Sequence, residues 1–112
     1  MKFGKKRWSK AKPCVVDGVK FPSKLEAKVY GDLSLEAKAE RARLYRQIRF
    51  PLPNLAPDKY GKALVFTVDF MLIYPDNRVR VCDAKGRQSP EWLRGKKAFE
   101  AWYDVEVEEI KK

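Results

Sequence analysis

The chain has 112 residues, enough for one core and too few for a second independently folding unit. With 45% hydrophobic and 36% charged residues it reads as a globular domain with a charged surface, and its 25 Lys and Arg against 15 Asp and Glu, a net +10, favour a polyanionic partner, DNA or RNA first. Histidine is absent, which excludes every mechanism built on an imidazole base, and neither a run of about 18 apolar residues nor a signal-peptide core is present, so a cytoplasmic protein with no membrane partner is expected.

The opening MKFGKKRWSKAK carries cations and no acid, and lacks an apolar period. Residues 1–13 are therefore expected to form a flexible basic arm, and residues 14–112 a single domain. Lys5, Lys6, Arg7 and Lys10 suit phosphate contacts, and Trp8 suits stacking on a base; a solubilising tail explains the same composition. Cys14 and Cys82 are far apart with no CxxC spacing, so reduced thiols are expected rather than a zinc site or a disulfide.

CVVDGVKF has the form of a hairpin turning at Asp17-Gly18. Ser23, with Glu26 three residues on, forms a capping box, and Leu25, Val29 and Leu33 continue at helical spacing. Gly31 weakens that helix, and the stretch to about residue 42 either continues it or begins another. The period then changes to two over Leu44 to Phe50, a half-buried strand. A loop with three prolines follows, from Pro51 to Gly61.

Residues 63–74, ALVFTVDFMLIY, are apolar on both faces and suit a central strand. Pro75-Asp76-Asn77 is turn chemistry, with the returning strand over Arg78 to Lys85. Ser89-Pro90-Glu91 opens a helix to which Trp92, Leu93, Lys96, Phe99, Trp102 and Tyr103 give an aromatic face, and VEVEEI closes the chain as a short strand. The order is hairpin, helix, three strands, helix, strand, an α/β (α+β) fold with a mixed central sheet flanked by helices.

Asp69 is the anomalous residue, a carboxylate interrupting an apolar strand. A three-residue turn pairs Tyr74 with Arg78 and sets Asp69 opposite Asp83, about 5 Å apart at Cβ, where two carboxylates repel unless a proton or cation joins them. A turn of two or four residues puts them on opposite faces instead. With the first register, Mg²⁺ held by oxygen ligands resolves the repulsion. Lys85, on the same edge as Asp83, is placed to position a water or neutralise a phosphate. The Asp83/Lys85 pair alone also reads as a strand-end ion pair, and Glu26 alone as a cap.

The pattern Ser23-Lys24-Leu25-Glu26-Ala27, Gln47 with Phe50, Val68-Asp69-Phe70 and Asp83-Ala84-Lys85-Gly86 resembles the PD-(D/E)XK nuclease superfamily. Within it, the short phage-encoded endonucleases related to Holliday junction resolvases are most similar. Val68 stands where the superfamily's name has proline, and Asp83 where glutamate is frequent.

The resemblance implies a restriction-endonuclease-like core and a Mg²⁺-dependent endonuclease, with Mn²⁺ as a substitute. It implies Glu26, Asp69, Asp83 and the Ala84 carbonyl as metal ligands, Lys85 as catalytic lysine and Gln47 as an accessory group. Arg87, Arg94 and Lys96, with the basic arm, are expected to hold DNA phosphates, and Lys97, placed near the apolar side of its helix, to face the site. Resolving a junction takes two symmetric cuts, so a homodimer would follow. The alternatives are a nickase of the same fold and a non-catalytic nucleic-acid-binding protein whose aspartates are satisfied by Arg80 or Arg49.

Overall fold

The computed structural model describes residues 14–16, 18–84 and 88–110. The basic arm (Lys5, Lys6, Arg7, Trp8 and Lys10), together with Asp17, Lys85 and Arg87, lies outside the described residues. The architecture is α+β, with elements in the expected order: β1 (Cys14–Val16), β2 (Val19–Phe21), α1 (Lys24–Glu40), β3 (Arg43–Pro51), β4 (Val65–Ile73), β5 (Val79–Ala84), α2 (Pro90–Tyr103) and β6 (Val107–Ile110). β1 and β2 form a separate two-stranded sheet; the main sheet is mixed, in the order β3-β4-β5-β6, with β6 parallel to β5.

Local chemistry accounts for the boundaries. Val16 pairs with Val19, and Gly18 takes φ 77°, the positive value its two-residue turn demands. Ser23 caps α1 by accepting from the Glu26 N–H at 3.1 Å, and α1 runs unbroken through Gly31 to a left-handed Arg41. Ser89 caps α2 through the Trp92 N–H at 3.0 Å, with Pro90 in the first turn, where a missing N–H costs nothing. In the proline-rich loop, Asp58 accepts from the Tyr60 and Lys62 N–H groups and closes the turn, while Leu52 is buried.

The turn at Pro75-Asp76-Asn77 is three residues long. The Tyr74 N–H donates to the Arg78 carbonyl at 2.9 Å, and Asn77 supplies the left-handed residue at φ 70°. The ladder that follows pairs Ile73 with Val79 and ends with Phe70 and Cys82, so the same register carried one residue further would set Asp69 opposite Asp83 on one face.

Two cores sit under the sheet. Phe21, Ala27, Val29, Leu33, Phe70, Leu72 and Cys82 gather around α1. Phe66, Val68, Val81, Val107, Ala98 and Phe99 gather around α2, joined by Ile48, Phe50 and Met71. On β4 the changeover falls between Val68 and Phe70, and on β3 between Arg46 and Ile48. Arg46 pairs with Phe70 and Ile48 with Val68; between them Gln47 adopts φ 50°, a strained value for a residue with a Cβ. Residues of the same parity thus serve α1 on one side of Gln47 and Asp69 and α2 on the other. β4 is consequently less apolar in its surroundings than residues 63–74 suggest: its outer half protrudes past β5, leaving Val65 and Thr67 exposed.

Helix α2 approaches β4 closely because Gly95 has no side chain. A Cβ there would stand 3.0 Å from Cδ1 of Phe66. Trp92 and Phe99 face inward, but Leu93 and Trp102 are substantially exposed, so the apolar face is narrower than the aromatic content implies.

Candidate functional site

The sequence-predicted acids come from three elements and meet where the cores change over. Glu26 is in the first turn of α1, Asp69 in β4 and Asp83 in β5; Glu26 and Asp83 are buried, and Asp69 is half-buried. Gln47 joins the first two: its Nε2 donates to Glu26 Oε2 at 3.2 Å and to Asp69 Oδ1 at 3.3 Å. Its left-handed backbone turns the side chain toward α1, away from the position a regular strand would give it. The capping box at Ser23 therefore coexists with a second role for Glu26, since the Glu26 N–H binds Ser23 while its carboxylate accepts from Gln47.

Asp83 and Asp69 hold each other through the backbone. Asp83 Oδ1 accepts from the Asp69 N–H at 2.7 Å, and Asp69 Oδ2 accepts from the Ala84 N–H at 2.9 Å. The remaining oxygen of Asp83, Oδ2, accepts from the Trp92 indole at 3.0 Å, which ties the site to α2. These N–H bonds fix the direction of both carboxylates and offset part of the cost of burying Asp83. Ala84, assigned from the sequence through its carbonyl, makes its contact with Asp69 through its N–H. Lys85 follows directly in the chain and lies outside the described residues.

Of the two arginines expected to satisfy the aspartates in the non-catalytic alternative, Arg49 is exposed and Arg80 is occupied elsewhere. Arg80 points to the α1 side, where Nη1 reaches Glu36 Oε1 at 2.7 Å and Nε reaches Glu108 Oε2 at 2.8 Å. The Tyr74 hydroxyl donates to Glu36 as well. The Tyr74 hydrogen bond, followed by Arg80, holds the Glu36 carboxyl below its ordinary value, whereas burial and the Glu36 contact raise the Tyr74 phenol. Burial pushes the Cys82 thiol up to about 11, which leaves it an inert core group.

The basic residues of α2 divide. Arg94 is exposed beside a cavity of about 310 Å³ lined also by Leu52, Leu55, Leu64 and Val65, and remains open to a phosphate. Lys96 is not open in that way: its ammonium lies 3.1 Å from Glu109 and 3.6 Å from Glu100. Lys97 also departs from expectation, because at 3.6 residues per turn it falls almost opposite Phe99 and is exposed on the outer side of α2.

For a hard divalent cation the donor set is chemically suitable, since all three side chains offer carboxylate oxygens. Among the described residues no three His, Cys, Asp or Glu side chains are close enough to hold a metal ion together. The geometry fits an ion bound through one or two carboxylates and several waters, as Mg²⁺ prefers: Glu26 and Asp69 already converge on a single point, the Gln47 amide nitrogen. No described helix is long and apolar enough to cross a membrane.

The backbone strain at Gln47 and the contact from Trp92 escape sequence reasoning. An indole nine residues after an aspartate carries no motif, and only the packing of α2 on the sheet brings them together. No curated protein and no solved structure matches the chain. A family model does match over residues 6–112, nearly its whole length, and the chain belongs to that family, described as a protein family of unknown function, DUF1064.

Proposed function

We propose that the protein is a Mg²⁺-dependent DNA endonuclease, selective for branched DNA in the manner of a Holliday junction resolvase. The observation that carries this reading is the chain of hydrogen bonds linking Glu26, Gln47, Asp69 and Asp83, which connects carboxylates from three separate elements of a strongly basic protein. Glu26 and Asp69 would hold the ion, with Asp83, the third expected ligand, holding the Asp69 backbone beside them. Mg²⁺, or Mn²⁺ in its place, held there would lower the pKa of water and offset charge on the phosphate.

The chain's own groups do the rest. Asp83 fixes the Asp69 backbone, and the Ala84 N–H fixes the Asp69 carboxylate, so its position is set before substrate arrives. Gln47 is exposed and opens the cluster to solvent, giving a phosphate a way in. Lys85 would orient the attacking water or neutralise the phosphate, and Arg94, Arg87 and the basic arm would hold flanking phosphates. A homodimer in the cytoplasm follows if both strands of a junction are cut symmetrically.

The test compares linear duplex, single strand, flap and four-way junction, each with Mg²⁺, Mn²⁺ or chelator. Cleavage is expected with either ion, strongest on the junction, absent with chelator and lost in Asp69→Asn. Binding to every substrate without cutting, or unchanged cutting by Asp69→Asn, would overturn the reading.

A further inference from the structure

Arg46 has no assigned role and an unusual environment. It lies on β3 next to Gln47, half-buried, with its guanidinium carbon 4.5 Å from the centre of the Phe21 ring. Phe21 is fully buried and packs on Tyr30 at 4.9 Å between centroids, so the platform under the guanidinium is rigid. The Arg46 Nε is buried and, among the described residues, has no hydrogen-bond partner. Four other cations among the described residues are matched with acids: Lys28 with Asp32, Arg78 with Asp76, Arg80 with Glu36 and Glu108, and Lys96 with Glu100 and Glu109.

A buried N–H without an acceptor is costly, and a guanidinium held over an aromatic face can still offer its terminal Nη donors to an anion. The location limits what that anion is. Neighbouring strand residues normally point to opposite faces, but the left-handed Gln47 breaks that alternation. Arg46 reaches Phe21, just before the Ser23 cap, and Gln47 reaches Glu26 in the first turn of the same helix. Both side chains thus work on the α1 side, at the edge of the acid cluster.

We propose that Arg46 is a phosphate-binding residue, pre-stacked on Phe21 to receive a backbone phosphate of DNA as it enters the site beside Gln47. The inference rests on the nuclease reading and adds to it a contact for the substrate that no motif encodes. The flat guanidinium fork suits two phosphate oxygens, and its fixed posture means little ordering on binding.

Binding of a labelled four-way junction and of a linear duplex, measured in chelator over roughly 50 to 200 mM salt, tests this. Arg46→Met keeps the apolar packing on Phe21 and removes the charge. It is expected to weaken binding to both DNAs and to make the slope of log K against log salt shallower by about 0.9, one phosphate contact on duplex. Arg46→Lys is expected to keep the slope but bind more weakly, because an ammonium lacks the fork. Wild-type slope and affinity in Arg46→Met, with only a lower melting temperature, would show a purely structural cation and leave the nuclease reading standing. Should Arg46→Met not fold, undiminished affinity of Arg46→Lys overturns the inference. Failure of the wild-type protein to bind either DNA overturns both.

Discussion

Two clusters of acids lie on this small sheet, and they are stabilised in opposite ways. Around Arg80, the acids Glu36 and Glu108 are neutralised by one guanidinium, with Tyr74 closing the network. Around Asp69, the described donors are a carboxamide, an indole and two backbone N–H groups, and like charges are brought together. The first arrangement is what a protein uses to hold α1, β5 and β6 in place. In the second, three carboxylates lie near one another and each described bond fixes one of them in place. On the proposed function, the difference separates a structural ion-pair network from a site.

Substitutions that remove one cluster and spare the other sharpen the contrast. The largest effect is expected from Asp83→Leu, which leaves the Asp69 N–H and the Trp92 indole without their acceptor and costs about 2–5 kcal/mol in chemical denaturation. Next is Gly95→Ala. Phe66 is held by Trp92 and Phe99 and has little room to give, so the new methyl is expected to cost about 1–3 kcal/mol by the same measurement.

Arg80→Met comes third. Its partners are partly exposed, and solvent screening reduces the loss to about 1–2 kcal/mol, with the proposed metal-dependent cleavage expected to be unaffected. Gly31→Ala, by contrast, adds a methyl to open space within α1 and is expected to stabilise by up to about 1 kcal/mol.

The Arg80 network also sets a pH dependence. The folded-state value of Glu36 is lowered, so its contribution is full above the ordinary carboxylate value of 4.5 and is lost as pH falls through the lower folded value. Tyr74 is raised, so its contribution is full below its ordinary value of 10.0 and disappears as pH climbs beyond it. Thermal melting of wild type and Glu36→Gln from pH 3 to 7 is expected to converge toward the acid end; parallel curves would mean that Glu36 is uncoupled from folding.

Much of this was legible in the chain because local chemistry dictates it. Ser23 and Ser89 start helices by satisfying orphan N–H groups, and Pro75-Asp76-Asn77 sets a register that reaches Asp69 and Asp83 five residues away. What escaped depends on partners distant in sequence. Gln47 takes a left-handed conformation that its residue type does not favour, and the pairing of β6 with β5 requires α2 to cross over first. Lys97 was misplaced because the exposed Leu93 and Trp102 made the apolar side of α2 look wider than the face that packs on the sheet. For the candidate site, the three acids and Gln47 could be found one by one, but the Trp92 indole that holds Asp83 could not.

The most direct measurement is calorimetric titration of Mn²⁺ and Mg²⁺ into the wild-type protein, Asp69→Asn and Glu36→Gln, with folding of each checked by melting. Binding is expected for wild type and Glu36→Gln and absent for Asp69→Asn, because the proposed function assigns the cation to the cluster at Gln47. Equal heats from Asp69→Asn and wild type, or no binding by a folded wild-type protein, would contradict the distinction between the two clusters.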